Sequence, residues 1–230
     1  MEEAFLFDKR IYPFKSKLDF LDFIQDKQAI LVALNAEKLL KKDNRLATII
    51  NENIGYPDGI GAVLALRRKG FKATKIAGAE FWLDIINKYK DSRSFYLIGA
   101  SKEVIAQTVS KLVRENEGIN VVGFRDGFLN EHDKQDLIMD LTIKRPDIVF
   151  VAQGSPRQEF LMEELQKHHK AIYMGLGGSF DVYTGTKKRA PGTYQKLGLE
   201  WFYRLLNEPT RISRQASLFK FFIKVIFGRF

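Results

Sequence analysis

Five short apolar runs, separated by longer segments with helical spacing, constrain the fold of this chain more than any other feature. The runs cover residues 29–34, 95–99, 120–124, 147–152 and 171–175. Each is apolar almost without interruption rather than alternating, which is typical of strands covered on both faces. Strands that alternate with helical segments predict an α/β fold with a mostly parallel sheet and helices on both faces.

Capping residues locate three of the predicted helix starts. Ser101 and Asn130 each stand directly before a segment with helical spacing of its apolar residues. At the third start Ser155 is the predicted N-cap, with Pro156 at the first helical position and Gln158 at the third. In a parallel α/β sheet, ligands bind beyond the carboxyl ends of the strands. The loops to inspect for a site therefore begin at Asn35, Gly99, Gly154 and Gly175.

The positive charge of the chain is concentrated near its C-terminal end. The net charge is +9, yet residues 1–186 hold 27 basic and 26 acidic side chains, whereas residues 187–230 hold 10 and 2. A nearly neutral body with a basic end indicates a local anionic partner, which could be nucleic acid, lipid headgroups or a diphosphate. With 230 residues we predict a Rossmann-like α/β domain over 1–195 and a basic, helical C-terminal appendage over 196–230.

Asn35 and Asp58 are the first two candidate site residues. Asn35 follows a predicted strand, where it is first of all a candidate helix N-cap; its amide also suits a sugar hydroxyl or a uracil edge. Asp58 lies in a Pro-Asp-Gly turn before a helix, where it is either an N-cap or, if partly desolvated, a general base. The spacing of Gly59 and Gly61 is not a dinucleotide fingerprint, because no third glycine follows and no clear strand precedes them.

Two glycine-containing loops supply further candidates. The first holds Gly154 and Gln158 at a helix start, where Gln158 either closes a capping box or presents its amide to a ligand. The second holds Gly177 and Gly178 after a predicted strand, where glycine permits close backbone approach to a phosphate or a sugar. Neither loop has the spacing of a known phosphate-binding motif.

The C-terminal region combines arginines with aromatic residues. Arg211 and Arg214 are three residues apart and would share a helix face, so their guanidinium groups could converge on one anion. Residues 218–230 are mostly Phe, Ile and Val with interspersed Lys and Arg, a pattern that favours contact with an anionic membrane surface. The alternative is a helix docked on the body or in the groove of a homo-oligomer.

Several classes of site and location are disfavoured by what the sequence lacks. There is no cysteine, which excludes thiolate metal ligands and a cysteine nucleophile, and no Asp-x-Asp or His-Glu-x-x-His motif occurs. We therefore expect neither a metal nor a cofactor. The residues after Met1 lack the basic region of a signal peptide, and no apolar run is long enough for a bilayer span, so a cytosolic location is expected.

Eight short motifs together resemble the WecG/TagA/CpsF family of bacterial glycosyltransferases. They occur in the order typical of the family: LNAE (34–37), PDGIG (57–61), KIAG (75–78), FRDG (124–127), GSPRQE (154–159), GLGGSFD (175–181), RAP (189–191) and LEWFYR (199–204), followed by Pro209, Arg211 and Arg214. The resemblance implies an inverting, metal-independent transferase. It would move an N-acetylmannosamine-type sugar from a UDP donor to an undecaprenyl-diphosphate-linked saccharide on the cytoplasmic face of the membrane.

The resemblance also implies roles for individual residues. Asp58 matches the presumed catalytic base, while Asn35 and Gln158 match residues that line the substrate pocket. Three arginines of the tail match residues thought to close over the site and neutralise diphosphate charge: Arg204, Arg211 and Arg214. Lys75 stands where an arginine is common, which keeps the charge and loses the bidentate geometry. Ala33 stands where many members have threonine, so the donor sugar could differ.

Three other classes of protein compete with this interpretation. A nucleic-acid-binding α/β domain would use the basic tail for phosphate contacts, but the body is nearly neutral and carries no base-reading motif. A nucleotide-dependent oxidoreductase lacks its fingerprint. The third competitor is a non-catalytic scaffold attached to the membrane by its tail. Release of UDP in the presence of a lipid-diphosphate acceptor distinguishes the transferase from all three.

Overall fold

A computed structural model describes residues 2–188, 191, 194, 203 and 212–228, with backbone alone for 212–218. The strands are β1 Ala4–Leu6, β2 Lys9–Ile11, β3 Ile30–Leu34, β4 Ile54–Pro57, β5 Ser94–Gly99, β6 Asn120–Arg125, β7 Ile148–Ala152 and β8 Ile172–Gly175. The helices are α1 Lys17–Ile24, α2 Ala36–Leu40, α3 Asn44–Glu52, α4 Ile60–Arg68, α5 Gly78–Tyr89, α6 Lys102–Glu115, α7 Glu131–Lys144, α8 Arg157–His168, α9 Ser179–Tyr183 and α10 Ile212–Ile226.

Six of the strands form one parallel sheet in the order β4-β3-β8-β7-β5-β6. Every neighbouring pair in this sheet is parallel, so the carboxyl ends of all six strands lie along the same edge. The five strands predicted from continuous apolar runs are all present. The predicted α/β class, with a mostly parallel sheet, is therefore confirmed.

Strand β4 corrects the expectation that no clear strand precedes Gly59. Its four residues, Ile54–Pro57, are all buried, and they pair in parallel with β3. Gly55 and Pro57 interrupt its apolar pattern, which hides the strand in the sequence. Gly55 is required by close packing, because a Cβ there would lie 2.4 Å from the carbonyl oxygen of Arg10.

The helices cover the two faces of the sheet, as predicted. One face of the sheet, called here the first face, is covered by six of them that contribute to its core: α2, α3, α4, α7, α8 and α10. The opposite face, called here the second face, is covered by four: α1, α5, α6 and α9. The neighbouring strands β3 and β8 are followed by α2 and α9, which lie on different faces. The chain therefore diverges at the carboxyl edge between these two strands, and such a place, called here the crevice, is the usual ligand site of parallel α/β sheets.

The predicted helix starts are confirmed at two positions and shifted at the third. Ser101 accepts a hydrogen bond from the Val104 amide, and Asn130 forms a capping box with Asp133. At α8 the N-cap is Pro156, not Ser155, and the helix begins at Arg157. Pro156 has φ −93° and ψ 1°, outside the helical range, so the helix starts one residue later than predicted.

Helix α10 packs on the body through one side. Phe221 is fully buried, its ring centroid is 5.3 Å from that of Phe7, and Val225 one turn later is also buried. Gly61 on α4 makes room for this contact, since a Cβ there would lie 3.0 Å from the Phe221 ring. Within the described part of the chain, no helix combines the length and apolar character needed to cross a membrane. The division at residue 195 stays a prediction.

Candidate active site

Asn35 is the N-cap of α2, so the capping role considered for it is confirmed. Its Oδ1 accepts a hydrogen bond from the Lys38 amide at 2.9 Å. Among the described residues, its Nδ2 makes no hydrogen bond. Asn35 is half-buried at the carboxyl end of β3. The side chain therefore caps the helix through its oxygen while its amide nitrogen can still donate to a ligand.

Asp58 does not cap the helix that follows it. The N-cap of α4 is Gly59, which offers no side chain, so the N-cap considered for Asp58 is wrong for this helix. Instead, Asp58 Oδ1 accepts a hydrogen bond from the amide of Gly78 at 2.7 Å. Gly78 is the first residue of α5, a helix of 12 residues. The carboxylate thus lies at the positive end of a helix dipole, which is a favourable place for a negative charge.

The sheet register brings Asn35 and Asp58 together. Leu34 pairs with Pro57 across β3 and β4, so the next residue of each strand leaves the sheet at the same level. The Asp58 amide donates to the carbonyl oxygen of Leu34 at 3.1 Å. A Cβ on Gly59 would lie 3.5 Å from the Cβ of Asn35. These contacts place an amide and a carboxylate side by side at the crevice.

Tyr56 lies beneath this pair. It is fully buried, and its hydroxyl has no hydrogen-bond partner among the described residues. Burial, followed by the nearby negative charges of Asp58 and Glu159, raises the pKa of Tyr56 well above its ordinary value. The hydroxyl is therefore neutral, and it lies only 2.7 Å from the position that a Cβ on Gly78 would take.

Gln158 connects the two glycine-containing loops. Its Oε1 accepts hydrogen bonds from the amides of Gly154 at 3.2 Å and Gly177 at 2.9 Å, and its Nε2 donates to Glu159 Oε1 at 3.1 Å. The side chain is 4% exposed. The ligand contact considered for Gln158 stays a prediction, and these bonds are not those of a capping box, since the N-cap of α8 is Pro156. They show a side chain that ties the ends of β7 and β8 to each other.

The glycines of these loops present open backbone at the crevice. Gly154 has φ +78° and Gly177 has φ +59°, a conformation that glycine adopts without strain. A Cβ on either residue would meet nothing within 4 Å, and Gly178 is exposed. A ligand can therefore approach the backbone of both loops closely.

Lys75 lies in a segment that runs beside the end of β4. It is half-buried in the segment before α5, and the next residue, Ile76, donates its amide to the carbonyl oxygen of Pro57 at 2.8 Å. Three predicted site residues cannot be placed in the same way. Arg204 and Arg211 lie outside the described residues, and Arg214 belongs to α10 with its side chain outside them.

A buried ion pair at this edge was missed in the sequence. Lys38 Nζ lies 2.6 Å from Glu159 Oε1, with the two side chains 9% and 1% exposed. Burial raises the pKa of Glu159, but the Lys38 charge and the hydrogen bonds to the carboxylate outweigh it, so the pKa is lowered overall. No local sequence pattern marks this pair, because its two residues are 121 positions apart.

Metal-ligand side chains do not cluster in the described part of the chain. No group of three or more His, Asp or Glu residues there has an arrangement that could hold an ion. The expectation that the site works without a metal stays a prediction.

The comparison with known families agrees with the resemblance that the short motifs carry. The model of the glycosyl transferase WecG/TagA/CpsF family matches residues 12–230, which is nearly the whole chain. The match includes the loops that carry Asn35, Asp58, Gln158 and the glycines, as well as the tail. This chain therefore belongs to the WecG/TagA/CpsF family and is a glycosyltransferase, an enzyme that acts on a sugar donor and an acceptor.

Proposed function

We propose that this enzyme transfers an N-acetylhexosamine-type sugar, N-acetylmannosamine or a relative, from a UDP donor to an undecaprenyl-diphosphate-linked saccharide. The product would serve the synthesis of a cell-surface polysaccharide or teichoic acid. The reaction inverts the anomeric configuration and needs no metal. The observation that carries the proposal is the position of Asp58, held by the Gly78 amide beside Asn35 at the mouth of the crevice.

Asp58 is the general base in this proposal. Its carboxylate takes the proton of the acceptor hydroxyl while that oxygen attacks the anomeric carbon of the donor. The bond between the anomeric carbon and the β-phosphate oxygen breaks, and UDP leaves with the electron pair. The hydrogen bond from Gly78 fixes the orientation of the carboxylate, which lowers the entropic cost of reaching a reactive geometry.

The loops around Asp58 supply contacts to the donor. Asn35 Nδ2 is placed to donate to a sugar or uracil oxygen, and the open backbone at Gly154, Gly177 and Gly178 suits a sugar or phosphate. Lys75 adds a positive charge at the same edge of the sheet. Gln158 supports this site from below by holding two of the glycine loops.

The tail arginines complete the site in this proposal. Guanidinium groups of Arg204, Arg211 and Arg214 would stabilise the charge that develops on the diphosphate leaving group. Replacing Arg211 or Arg214 by alanine should lower kcat about 100-fold, since such groups act mainly in the transition state. Lysine at either position should recover only part of the rate, because it keeps the charge without the bidentate fork. Alanine variants with unchanged kcat would remove these residues from the mechanism.

Helix α10 provides the contact with the membrane in this proposal. The side opposite the buried Phe221 and Val225 exposes three large apolar residues, Phe219, Ile223 and Ile226. Phe227, directly after the helix, is exposed as well. Lys220 and Lys224 are exposed beside them. An apolar stripe flanked by lysines suits the interface of an anionic leaflet, where a lipid-linked acceptor is presented. The enzyme would thus act peripherally on the inner face of the cell membrane.

The decisive experiment measures UDP release across a panel of UDP-sugars with one defined lipid-diphosphate acceptor. Release should require both the correct donor and the acceptor. Asp58→Asn should lower turnover by about 10³-fold while binding of the UDP-sugar persists, since a general base contributes about 10²- to 10⁴-fold. Asp43→Asn is the matched control, because Asp43 is a simple helix N-cap that asparagine replaces well. Turnover of Asp58→Asn at the wild-type rate would overturn the assignment of the base.

A further inference from the structure

The buried ion pair Lys38–Glu159 joins two helices that each begin at the crevice. Lys38 lies in α2, which follows β3, and Glu159 lies in α8, which follows β7. Strand β8 separates these two strands, so the pair spans the carboxyl end of β8 on the first face. Of the ion pairs formed between described residues, only this one has both side chains less than a tenth exposed.

Stability alone does not account for this pair. Removing two charges from water is costly, and replacing a buried ion pair by apolar residues of similar volume is often neutral or stabilising. Glu159 Oε2 is also buried without a hydrogen-bond partner among the described residues. Such local costs are expected where a site requires a particular arrangement.

The pair is continuous with the hydrogen bonds that shape the crevice. Glu159 Oε1 accepts from Gln158 Nε2, so the Gln158 amide must turn its oxygen toward the Gly154 and Gly177 amides. On the other side, the Lys38 backbone amide donates to Asn35 Oδ1. One chain of contacts therefore runs from the Asn35 loop through the ion pair to both glycine loops.

We propose that Lys38 and Glu159 are positioning residues of the transferase, which set the spacing between Asn35 and the two glycine loops that hold the donor. Neither side chain touches substrate, because both are buried beneath the loops. The inference rests on the proposed function for its kinetic consequence. Its structural part, that the ion pair holds the three loops in a fixed arrangement, does not depend on the reaction.

The test compares Lys38→Met/Glu159→Met with a matched control pair in the full-length protein. Methionine resembles both side chains in volume and leaves no unpaired charge. The control is Arg45→Met/Glu163→Met, which removes an ion pair between α3 and the same helix α8, one turn after Glu159. That control pair is more exposed, at 53% and 24%. The Arg45 guanidinium also lies 4.4 Å from the centre of the Phe160 ring in α8, so Phe160 is left out of the segments compared below.

The first readout is amide hydrogen exchange without any substrate. In Lys38→Met/Glu159→Met, exchange should become at least about 10-fold faster in the segments 35–40, 153–159 and 175–180, because their mutual contacts are weakened. The control pair should leave those segments within about 2-fold of wild type. Unchanged exchange in all three segments would overturn the positioning role, whatever the enzyme's substrate proves to be.

The second readout is kcat for UDP release under conditions where every variant is fully folded. Lys38→Met/Glu159→Met should lose about 10- to 100-fold in kcat, since small displacements of reacting groups have effects of this size. Control kcat should stay at the wild-type value. A wild-type kcat in the double variant would overturn the proposed effect of the ion pair on catalysis.

If the double variant does not fold, Glu159→Asp decides by the same two readouts, because its shorter carboxylate cannot reach both Lys38 and Gln158. Wild-type protein that releases no UDP would refute the proposed function, and the exchange experiment would still test the loops.

Discussion

Asp58 accepts its hydrogen bond from Gly78, twenty residues away at the start of α5, and not from the helix that it directly precedes. The bond is short, at 2.7 Å, and it brings the segment before α5 against the end of β4. Gly78 has no side chain to obstruct this approach, and Tyr56 lies immediately behind it. The position of the proposed base therefore depends on a glycine.

Gly78→Ala should destabilise the protein and lower its activity. The new Cβ would lie 2.7 Å from the Tyr56 hydroxyl and 3.7 Å from Asp58 Oδ1, so the ring or the helix start must move. We expect a loss of about 1–3 kcal/mol in the free energy of unfolding, as is usual when a packed core is overfilled. Urea unfolding measures the stability, and UDP release measures the displacement of Asp58.

The double variant Gly78→Ala/Tyr56→Phe provides the control for this clash. Without the hydroxyl, the nearest atoms to the new Cβ are 3.7 Å away, which is ordinary van der Waals contact. Most of the lost stability should return. If the double variant is as unstable as Gly78→Ala, then the contact with Tyr56 is not the cause.

Tyr56→Phe alone should not destabilise the protein. Its hydroxyl is buried without a partner among the described residues, so the substitution removes a desolvated polar group and breaks no hydrogen bond shown there. We expect the free energy of unfolding to stay the same or rise by up to about 1 kcal/mol. Tyr173→Phe is the matched control, because the equally buried Tyr173 donates to the carbonyl oxygen of His169 at 2.9 Å. The control should lose about 1 kcal/mol, and an equal loss at Tyr56 would indicate a partner for its hydroxyl.

These contacts mark the limit of what the sequence predicts. Continuous apolar runs identify five strands of the sheet, and the segments after two of them contain Asn35 and Gln158. Asp58 instead follows β4, and only its Pro-Asp-Gly turn points to it in the sequence. Strand β4 is hidden because Gly55 and Pro57 interrupt its short run, and β1 and β2 have only three residues each. The bond between Asp58 and Gly78 and the pair Lys38–Glu159 join residues 20 and 121 positions apart. No local pattern encodes a partner at such a separation.

The side of α10 opposite Phe221 and Val225, called here its outer side, should determine membrane binding without affecting the stability of the fold. Phe219→Ser/Phe227→Ser removes two side chains that are each 70% exposed, so stability should change by less than about 0.5 kcal/mol. Binding to liposomes that contain anionic lipid should fall at least about 10-fold, because apolar burial in the interface is lost. Co-sedimentation measures the binding.

Phe128→Ser is the control for the membrane experiment. Phe128 is 78% exposed, but it follows β6 at the opposite end of the sheet order from β4. Its loss should leave liposome binding unchanged. If Phe219→Ser/Phe227→Ser binds liposomes as well as wild type but changes the oligomeric state, the outer side of α10 contacts a second copy of the chain instead.

The Lys38–Glu159 pair should make the protein sensitive to acid. The folded state holds the pKa of Glu159 below its ordinary value, so the unfolded chain binds a proton at higher pH than the folded protein does. The contribution of this group is fully present above the ordinary glutamate pKa and is lost as the pH falls through the lowered value. Urea unfolding between pH 7 and about pH 3 should therefore show a steeper loss of stability in wild type than in Lys38→Met/Glu159→Met. Arg45→Met/Glu163→Met should follow the wild-type curve closely, because that pair is exposed and screened by solvent. Identical pH dependence in wild type and Lys38→Met/Glu159→Met would show that Glu159 titrates alike in the folded and unfolded states.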